Sequence, residues 1–372
     1  EAKWFHNHIL AQGDVWNADY KIRRVLVKAK DGSTEERELK YLSSQMRQEI
    51  IGRARDNIRS LSRLKQNGHK VGALKFVARI VSIPLNQYDR THRIVGSARI
   101  SIQKLKEPLR VRGLEQIPKG AKFVNAMLIQ RNGDYYLHVT TWQSRPEKKV
   151  FRFKSIGIDI GMARQLTLSN GVGVKFEVPV TKRIRRLHRE LSRRKLHGKN
   201  WFKTGVKLNK AYHECNAQKR VIRNKIVSKI TGTYDAICFQ NDNISGWQRM
   251  WGRRMQSTAV GGITSALEQK AHTPVEIDRF YASTKKCSVC GAINGIGLEE
   301  RLYECHDCRS VIDRDLNAAI IIWNQGVPAE RRELTPVDTK ASTELVEYLN
   351  GIPRVRASLV EEAGSPRLLV VR

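Results

Sequence analysis

Ile156-Gly157-Ile158-Asp159-Ile160-Gly161 has a period of two, in which isoleucines alternate with glycine and aspartate. In a β-strand such alternation places the isoleucines on one face and Asp159 on the other. A second apolar stretch, Leu166-Thr167-Leu168, is followed by the turn signal Ser169-Asn170-Gly171 and a third stretch that ends near Val178. The pattern predicts three antiparallel strands with a carboxylate in the first.

An aspartate at this place in a sheet has three interpretations. Three antiparallel strands with a carboxylate in the first are typical of the start of a ribonuclease-H-like α/β domain, in which the carboxylate binds Mg²⁺. Actin-like sugar kinases begin with a similar Asp-x-Gly strand and hairpin, where the motif handles phosphate. Asp159 could also do no more than cap a turn. This stretch by itself leaves all three interpretations open.

Four cysteines further along the chain form two Cys-x-x-Cys pairs separated by fourteen residues: Cys287, Cys290, Cys305 and Cys308. Two thiolate pairs at this spacing, each on a tight knuckle turn, close a tetrahedral site for structural Zn²⁺. The alternative is two disulfides. It fits poorly, because the sequence has no signal-peptide pattern and disulfide frameworks belong to oxidising compartments. We therefore expect a zinc ribbon.

Asp313-Arg314-Asp315-Leu316-Asn317-Ala318-Ala319 follows the second cysteine pair and is typical of the start of a helix. On that helix Asp315 shares a face with two alanines and an isoleucine, so a carboxylate lies above small side chains that let the helix approach a sheet closely. We predict that Asp315 points at Asp159. The alternative is that an aspartate only caps the helix, and we expect that role for Asp313.

A further buried strand is predicted from Tyr234 to Asn241, and it ends in the polar cluster Asn241-Asp242-Asn243. Polar residues at the end of a central strand are candidates for a functional site. Another short strand is expected from Ile277 to Tyr281, just before the first cysteine pair.

Two helices are predicted before the strand that begins at Tyr234, one from Thr181 to Leu196 and one from about Leu208 to Ile230. Basic residues surround the apolar stripe of the first helix, with Glu190 as the one opposing acid. Four of them are candidates for nucleic-acid binding: Arg185, Arg186, Arg189 and Arg193. A basic helical hairpin would follow a phosphate backbone. The alternative is a solvated basic face, since many blocks of charge have no other role.

The first part of the chain has a helical period and the next part has a strand period. From Trp4 to about Gly68 the pattern is helical, most clearly between Met46 and Leu64, and Asn67-Gly68 is a helix stop. From about Val71 to Trp142 the period is two, and Asn132-Gly133 separates two alternating stretches as in a β-hairpin. We predict a helical region followed by a small β-barrel.

The composition indicates a polyanionic partner. The chain has 68 Lys and Arg against 36 Asp and Glu, a net charge of +32 over 372 residues. Acidic membranes would also attract such a chain, but no apolar run approaches the roughly 18 residues of a membrane span. Nucleic acid is therefore the expected partner. The length allows two or three domains, and we expect a cytoplasmic protein that acts at the nucleoid of a bacterium.

Four motifs together resemble those of TnpB proteins, which are RNA-guided nucleases of insertion sequences and relatives of type V CRISPR effectors. The motifs are residues 156–161, 239–247, 283–291 and 313–319. The resemblance spans nearly the whole chain, weakly before residue 150 and specifically from 154 to 323. It implies an α/β fold: a ribonuclease-H-like (RuvC) nuclease domain with an inserted zinc ribbon, preceded by a helical recognition lobe and a wedge β-barrel.

The resemblance also implies domain boundaries, with the nuclease domain split around the ribbon. These are 1–70 for the recognition lobe, 71–153 for the wedge barrel, 154–286 for the first RuvC part with a helical hairpin at 181–230, 287–308 for the ribbon, 309–323 for the last RuvC part, and 324–372 for a tail. The tail mixes Pro, Gly and charge without periodicity, so we expect it to be disordered or to pack only in patches. Since the family's first wedge strand would precede Glu1 and no initiator methionine is present, we expect a fragment of a longer product.

The mechanism implied by the resemblance delegates sequence recognition to RNA. A guide RNA derived from the transposon end would pair with one strand of double-stranded target DNA, while the protein reads a short adjacent motif. Carboxylates would hold two Mg²⁺ ions about 3.5–4 Å apart. Asp159 and Asp315 match the first and third acids of the family. At the second acidic position the sequence departs from the family pattern, because direct alignment puts the neutral Gln240 there. Asp242, two residues later and on the same face of the predicted strand, is the expected replacement.

Two classes of function remain open. The first is an active, Mg²⁺-dependent RNA-guided DNA endonuclease with Asp159, Asp242 and Asp315 as metal ligands. The second is an RNA-guided DNA-binding protein whose nuclease is weakened or dead and which acts by occupying its target. A strand-joining transposase fits less well, because the resemblance is to accessory nucleases. The sequence leaves the oligomeric state open, with a monomer as the expectation.

Overall fold

The chain folds as two compact units, each with a main hydrophobic core of its own. The computed structural model describes residues 1–29, 31–144, 154–258, 260–297, 299–328 and 339–360. Residues Glu1–Glu147 form one compact unit and Lys148–Arg372 form the other. None of the described helices combines the length and the apolar character needed to cross a membrane.

The described residues of the first unit form two α-helices, eight strands and one 3₁₀ helix, Leu114–Gln116. In chain order the α-helices and strands are α1 (Ala2–Ala11), β1 (Arg24–Lys28), β2 (Thr34–Glu38), α2 (Ser44–Gln66), β3 (Ser82–Leu85), β4 (His92–Val95), β5 (Arg99–Ile102), β6 (Leu109–Arg110), β7 (Lys122–Arg131) and β8 (Asp134–Trp142). The helices and strands share one core, which includes Phe5 from α1, Ile50 from α2, Leu85 from β3 and Ile100 from β5. The helices therefore pack against the strands and do not form a core of their own.

The helical prediction for this unit is confirmed at α2 and wrong between residues 24 and 38. Ser43 caps α2 by accepting a hydrogen bond from the Met46 N–H, and Gly68 follows the helix with φ +81°, as the stop signal predicted. Residues 24–38 instead form the β1–β2 hairpin, with Gly32 in its turn at φ +91°. The helical period that we extended through residues 24–38 belongs to α2. The strands of the hairpin bury one side chain, that of Val25, and so show no clear apolar period of their own.

The strands of the first unit hydrogen-bond as separate sheets. β3, β7 and β8 form one three-stranded sheet, β4, β5 and β6 form another, and β1 pairs only with β2. The hairpin predicted at Asn132-Gly133 is confirmed, since Arg131 pairs with Asp134 and both turn residues have positive φ, +55° and +87°. A wedge barrel built from these sheets stays a prediction.

The second unit contains one six-stranded sheet, a small two-stranded sheet and six helices within its described residues. In chain order these are β9 (Ser155–Asp159), β10 (Leu166–Leu168), β11 (Val172–Phe176), α3 (Lys182–Ser192), α4 (Lys199–Thr233), β12 (Ala236–Gln240), α5 (Ile244–Thr258), α6 (Val260–Lys270), β13 (Thr273–Ile277), β14 (Leu302–Glu304), β15 (Val311–Asp313), α7 (Arg314–Gly326), α8 (Thr339–Asn350) and β16 (Val355–Leu359). The strand order in the large sheet is β13-β12-β9-β10-β11-β16.

The sheet has the mixed directions expected from the first motif. β9, β10 and β11 are antiparallel, as predicted, while β12 runs parallel to both β9 and β13. Helices cover both faces. Ile158 and Phe239 face a core that includes residues of α4 and α6, whereas Cys238 faces Ile322 of α7 on the other side. The alternation of side chains along each strand thus separates two helical layers.

The start of one helix and the position of one strand in the second unit differ from the sequence predictions. α4 begins at Lys199, before the predicted Leu208, because its first turns dock through the buried Thr204, whose hydroxyl donates to Glu190 at 3.1 Å. The strand predicted from Ile277 to Tyr281 is instead Thr273–Ile277. Its pairing with β12 ends at Ile277, and residues 278–281 form a turn.

Of the two alternatives for the tail over 324–372, disorder is wrong for residues 339–360, and packing in a patch is what the structure shows there. α8 and β16 form there, and β16 extends the sheet by pairing with β11. Leu345, Leu349 and Val355 are buried in the core of the second unit, which supplies the apolar burial that holds the segment. β16 has five residues, too few to show a period, whereas the helical spacing of Leu345 and Leu349 in α8 was overlooked. Residues 329–338 and 361–372 lie outside the described residues.

Candidate active site

The carboxyl ends of parallel strands meet at one edge of the six-stranded sheet. β12 pairs with β9 so that Phe239 lies opposite Ile158, and β13 runs in the same direction on the other side of β12. Asp159 is the last residue of β9, and Asp242 follows the end of β12 by two residues. This edge of an α/β sheet is where ligand sites commonly form. The parallel pairing therefore brings two of the three predicted acids to one place.

Helix α7 carries the third acid across the sheet. Gly157 permits a close approach, since a Cβ there would lie 2.2 Å from the Ala319 carbonyl oxygen. Asp313 caps the helix, as predicted, because its Oδ1 accepts from the N–H groups of Asp315 and Leu316, each at 3.0 Å. The cap at Asp313 leaves the carboxylate of Asp315 available for other partners.

The three aspartates influence one another electrostatically. Burial raises the pKa of Asp159 well above its ordinary value, and the charges of Asp315 and Asp242 raise it further. Burial also raises the pKa of Asp242 to about 6, against the opposing charge of Arg279. Neighbouring carboxylates with raised pKa values gain strongly from a bound cation, which stabilises their ionised forms. The donor chemistry at this edge therefore fits Mg²⁺, which prefers carboxylate oxygens.

Arginines surround Asp315. Arg314 Nη2 lies 3.2 Å from Asp315 Oδ1, while Arg164 Nη2 and Arg301 Nη1 lie 3.4 and 4.0 Å from Oδ2. Arg164 also pairs with Asp313. These cations offset the charge of the carboxylate and fix its direction. The sequence analysis missed them. Arg314 could have been found from its place within the motif, but Arg164 and Arg301 come from separate loops and carry no sequence signal.

The side chain of Gln240 forms hydrogen bonds with the backbone of a neighbouring turn. Its Nε2 donates to the carbonyl oxygens of Asp278, Arg279 and Tyr281 at 3.0, 3.2 and 2.8 Å, and its Oε1 accepts from Ser283 Oγ at 2.7 Å. A glutamate in this conformation would aim a carboxylate at three carbonyl oxygens. The side chain of Gln240 is therefore committed to the turn. Asp242 lies beyond the end of β12, where its N–H donates to the Gln240 carbonyl at 3.0 Å, so the predicted sharing of one strand face by residues 240 and 242 is wrong.

The four cysteines form a compact cluster. Their sulfur atoms all lie within 4.8 Å of one another, and the three aspartates form no cluster of that compactness among the described residues. Cys287 and Cys308 Sγ are 3.7 Å apart, and Cys290 and Cys305 Sγ are 3.5 Å apart. These separations are close to the edge of a tetrahedron around zinc, about 3.8 Å for Zn–S bonds of about 2.3 Å. The predicted ligands are thus placed as a Zn²⁺ site requires, and not as disulfides.

Hydrogen bonds favour the thiolate form of two cysteines. The backbone N–H of Cys308 donates to Cys305 and lowers the pKa of its thiol to about 6. Ser310 lowers the pKa of the Cys308 thiol by its hydroxyl and its backbone N–H. Because the thiolate is the form that binds metal, these donors favour zinc binding at Cys305 and Cys308, whereas burial and the neighbouring thiols raise the pKa of the Cys290 thiol.

The ribbon is joined to the helix that carries Asp315. Asn317 of α7 is fully buried, its Oδ1 accepts from the Ser288 N–H at 2.8 Å, and its Nδ2 donates to the Lys286 carbonyl at 2.7 Å. Leu316 packs with Cys287 in a small core. The sequence analysis placed Asn317 in a motif but gave it no role. The structure makes it the bridge between the first cysteine knuckle and α7.

The basic face predicted on the helical hairpin is exposed on α3. Four arginines of this helix and its end are exposed, and no carboxylate in the described part of the chain lies within 4 Å of their guanidinium groups: Arg185, Arg186, Arg189 and Arg193. Glu190 is instead engaged by Arg194 at 2.9 Å. The positive charge of these four arginines is therefore not neutralised by neighbouring described carboxylates, whereas Arg183 pairs with Glu214 at 3.3 Å.

A domain family and several curated proteins match the chain. The Cas12f1-like TNB domain family matches residues 262–322. A candidate RNA-guided DNA endonuclease of Streptomyces pristinaespiralis is 23% identical over 253 residues, which is 65% of this chain and 63% of that protein. One of Mycobacterium tuberculosis is 22% identical over 281 residues, 69% of this chain and 60% of that protein. The chain spans less than two thirds of the length of either relative.

Two further similarities complete the comparison. A TnpB-like protein of Acanthamoeba polyphaga mimivirus is 27% identical over 152 residues, 36% of this chain and 27% of that protein. A solved Cas12f1–sgRNA–target DNA complex covers 75% of this chain and 71% of that chain at 15% identity, with a TM-score of 0.45. In its motifs, its TNB domain match and these curated relatives, the chain is similar to TnpB proteins.

Proposed function

We propose that the protein is an RNA-guided DNA endonuclease that binds a transposon-derived guide RNA and cleaves complementary double-stranded DNA next to a short motif. The observation that carries this proposal is the electrostatic coupling of Asp159 to Asp242 and Asp315 at one sheet edge. The curated relatives, described as candidate RNA-guided DNA endonucleases, support the same reaction.

The three aspartates would hold two Mg²⁺ ions. When bound, these ions would activate the attacking water and stabilise the leaving oxygen. Asp159 binds from the end of β9, Asp242 from beyond the end of β12, and Asp315 from the first turn of α7. Arg164 and Arg314 orient the Asp315 carboxylate. The cysteines of the ribbon would hold Zn²⁺ and keep α7 in place through Asn317.

The exposed arginines of α3 are the proposed nucleic-acid contact. Reversing Arg185, Arg186 and Arg189 to glutamate should weaken binding whatever the target sequence and reduce the log–log salt slope by roughly 2–3, at about 0.7–0.9 per phosphate contact. A matched control reverses Arg24, Arg37 and Lys40, which already pair with glutamates. It changes the net charge by the same amount. Equal effects of both triples would mean that α3 is only a solvated face.

The proposed function is tested with the protein as purified. RNA that copurifies is sequenced, and the complex is incubated with supercoiled DNA carrying the matched target and Mg²⁺. We expect linear product that depends on the match and is lost with Asp159→Ala. Cutting that ignores the RNA sequence, or no copurifying RNA, would contradict the proposal.

The second candidate function is target binding without cutting. One observation favours it: both oxygens of Asp315 face guanidinium groups, which compete with a cation for that carboxylate. In the same experiment such a protein would retard matched DNA in a gel and leave it supercoiled.

A further inference from the structure

A rigid turn presents an exposed ring at the edge of the sheet. Phe280 is 88% exposed, the highest value among the large hydrophobic side chains of the described residues. Its backbone is nonetheless held from two sides, since Gln240 donates to the carbonyls that flank it and the Phe280 N–H donates to Asp278 Oδ1 at 2.7 Å. An apolar ring held in water by a fixed backbone gains free energy when a ligand covers it.

A guanidinium group lines the same cleft as this ring. Arg279 Nε donates to the Asn241 carbonyl at 3.1 Å, and its Nη2 lies 3.4 Å from Asn241 Oδ1. Asn241 directly precedes Asp242, and the charge of Arg279 acts on that acid. Asn241, Arg279 and Phe280 line an open cleft of about 440 Å³. The cation therefore acts on one of the proposed nuclease acids, and the ring lines the same cleft as Asn241, the residue before that acid.

The chemistry of the cleft selects a nucleotide with a free base. A ring face and a guanidinium match the base and the phosphate of one nucleotide. Glu276 and Asp278 also line the cleft. Their negative charge would repel a phosphate backbone that ran along the length of the cleft. A base in a duplex has both faces covered by its neighbours, so only an unpaired base can stack on Phe280.

We propose that Phe280 and Arg279 form a stacking platform for an unpaired base of the DNA strand that enters the cleavage site beside Asp242. The assignment of that strand as DNA rests on the proposed function, whereas the stacking applies to any unpaired strand. Such a platform grips a strand with little regard to base identity, because every base has a flat face. Gln240 is then the residue that positions the platform.

The platform is tested by binding, without any cleavage. On an Asp159→Asn background, single-stranded DNA carrying 2-aminopurine is titrated with the purified complex, and fluorescence quenching reports stacking. Phe280→Ala and Phe280→Leu should weaken binding about 5- to 150-fold and remove most of the quenching. Phe280→Trp should retain both. Because Phe280 is exposed, all three variants should melt as the parent does.

Controls separate stacking from other effects. Ile293→Ala truncates another exposed apolar side chain, 70% exposed in the ribbon region, and should leave binding within about twofold. Binding of fully paired DNA should be unchanged in every Phe280 variant. Loss with DNA but not with RNA oligonucleotides assigns the platform to DNA, and the reverse loss assigns it to RNA. Unchanged binding of both single strands by Phe280→Ala, or equal loss with duplex, would overturn the platform.

The outcome is independent of whether the protein cuts. If the chain with intact Asp159 cuts matched DNA and Phe280→Ala quenches as the parent does, the platform is wrong and the proposed function stands. If the chain does not cut but quenching still depends on Phe280, the platform stands and the nuclease assignment fails.

Discussion

The zinc ribbon and the aspartate centre differ in how their ligands are assembled. Four cysteines within residues 287–308 bring their sulfur atoms within 4.8 Å of one another. The aspartates come from residues 159, 242 and 315, on two strand ends and a helix. In the first case the spacing of a short segment determines the site. In the second, strand pairing and helix packing must be complete before the ligands meet, so the aspartate centre depends on the whole fold.

The dependence between the two sites runs one way, because the zinc ribbon supports the aspartate centre and the aspartate centre does not support the ribbon. Asn317 bonds the first cysteine knuckle to α7, so the local site supports the helix that carries one acid of the assembled site. Loss of the ribbon should therefore disturb Asp315, whereas loss of an aspartate should leave the ribbon intact. The four predictions below test this asymmetry and the assignment of the second acid.

The largest effect is expected from removing zinc. Zn²⁺ binding by small modules is worth on the order of 10–16 kcal/mol, more than the small core around Cys287 can replace. Stripping the metal, or Cys287→Ser, should unfold the ribbon and loosen the Asp315 helix. Metal analysis and hydrogen exchange over residues 287–326 measure this.

The control for zinc is a cysteine outside the ribbon. Cys215 is buried in α4, so Cys215→Ser should change stability by only about 1–2 kcal/mol and keep the zinc. Protein without zinc as purified, or unchanged exchange in α7 after chelation, would break the proposed dependence of one site on the other.

The second prediction concerns cleavage. Asp242→Ala should lower the cutting rate at least about a thousandfold, about 4 kcal/mol, because the metal site loses a charged ligand. RNA-dependent DNA binding and zinc content should stay unchanged. Asp235→Ala, at the opposite end of β12, is the matched control and should cut at the parent's rate. Cutting by Asp242→Ala at that same rate would remove Asp242 from the site.

The sequence predictions that are confirmed concern short stretches of the chain. The cysteine spacing, the Asp313 cap, the Asn132-Gly133 hairpin and the strand alternation around Asp159 each depend on a few neighbouring residues, and each is confirmed. The β1–β2 hairpin and β16 were missed because strands of five residues show no clear period, and α8 was missed because the charge and the Pro and Gly around it hid its leucine spacing. Their burial comes from partners elsewhere in the chain.

The role of Gln240 could not be predicted, for a related reason. Its partners lie 38 to 43 residues later, in a turn whose carbonyl oxygens have no sequence signature. The arginines around Asp315 are similar, since Arg164 lies 151 residues away from it. Alignment alone therefore left open whether Gln240 or Asp242 takes the second acidic position. The hydrogen bonds of Gln240 favour Asp242, which stays a prediction until cleavage is measured.

The third prediction separates the two positions by stability. Gln240→Glu should lower the free energy of unfolding by about 3–5 kcal/mol near neutral pH, since a buried carboxylate would face three carbonyl oxygens without a donor. It should not increase cutting. Gln240→Met removes the hydrogen bonds without adding charge and should cost less, about 1–3 kcal/mol. Denaturant unfolding of both variants measures the difference, and faster cutting by Gln240→Glu would instead make position 240 the metal ligand.

The smallest effect is expected from Asp242→Asn in metal-free buffer. The pKa of Asp242 is raised from 3.8 to about 6, so the folded protein binds more protons than the unfolded chain between these values. Its free energy of unfolding therefore falls as the pH rises through that window, and above it the ionised carboxylate costs about 3 kcal/mol. Asparagine carries no charge, so Asp242→Asn should be more stable than the parent by up to about that amount at pH 7.5 and should lose its advantage as the pH falls towards 4. Mg²⁺ should also reduce the advantage at pH 7.5, because only the parent carboxylate gains from the cation. Urea unfolding at both pH values, with and without Mg²⁺, measures these differences. A pH-independent gain, or one that Mg²⁺ leaves unchanged, would mean that the charge of Asp242 is not held in the metal centre.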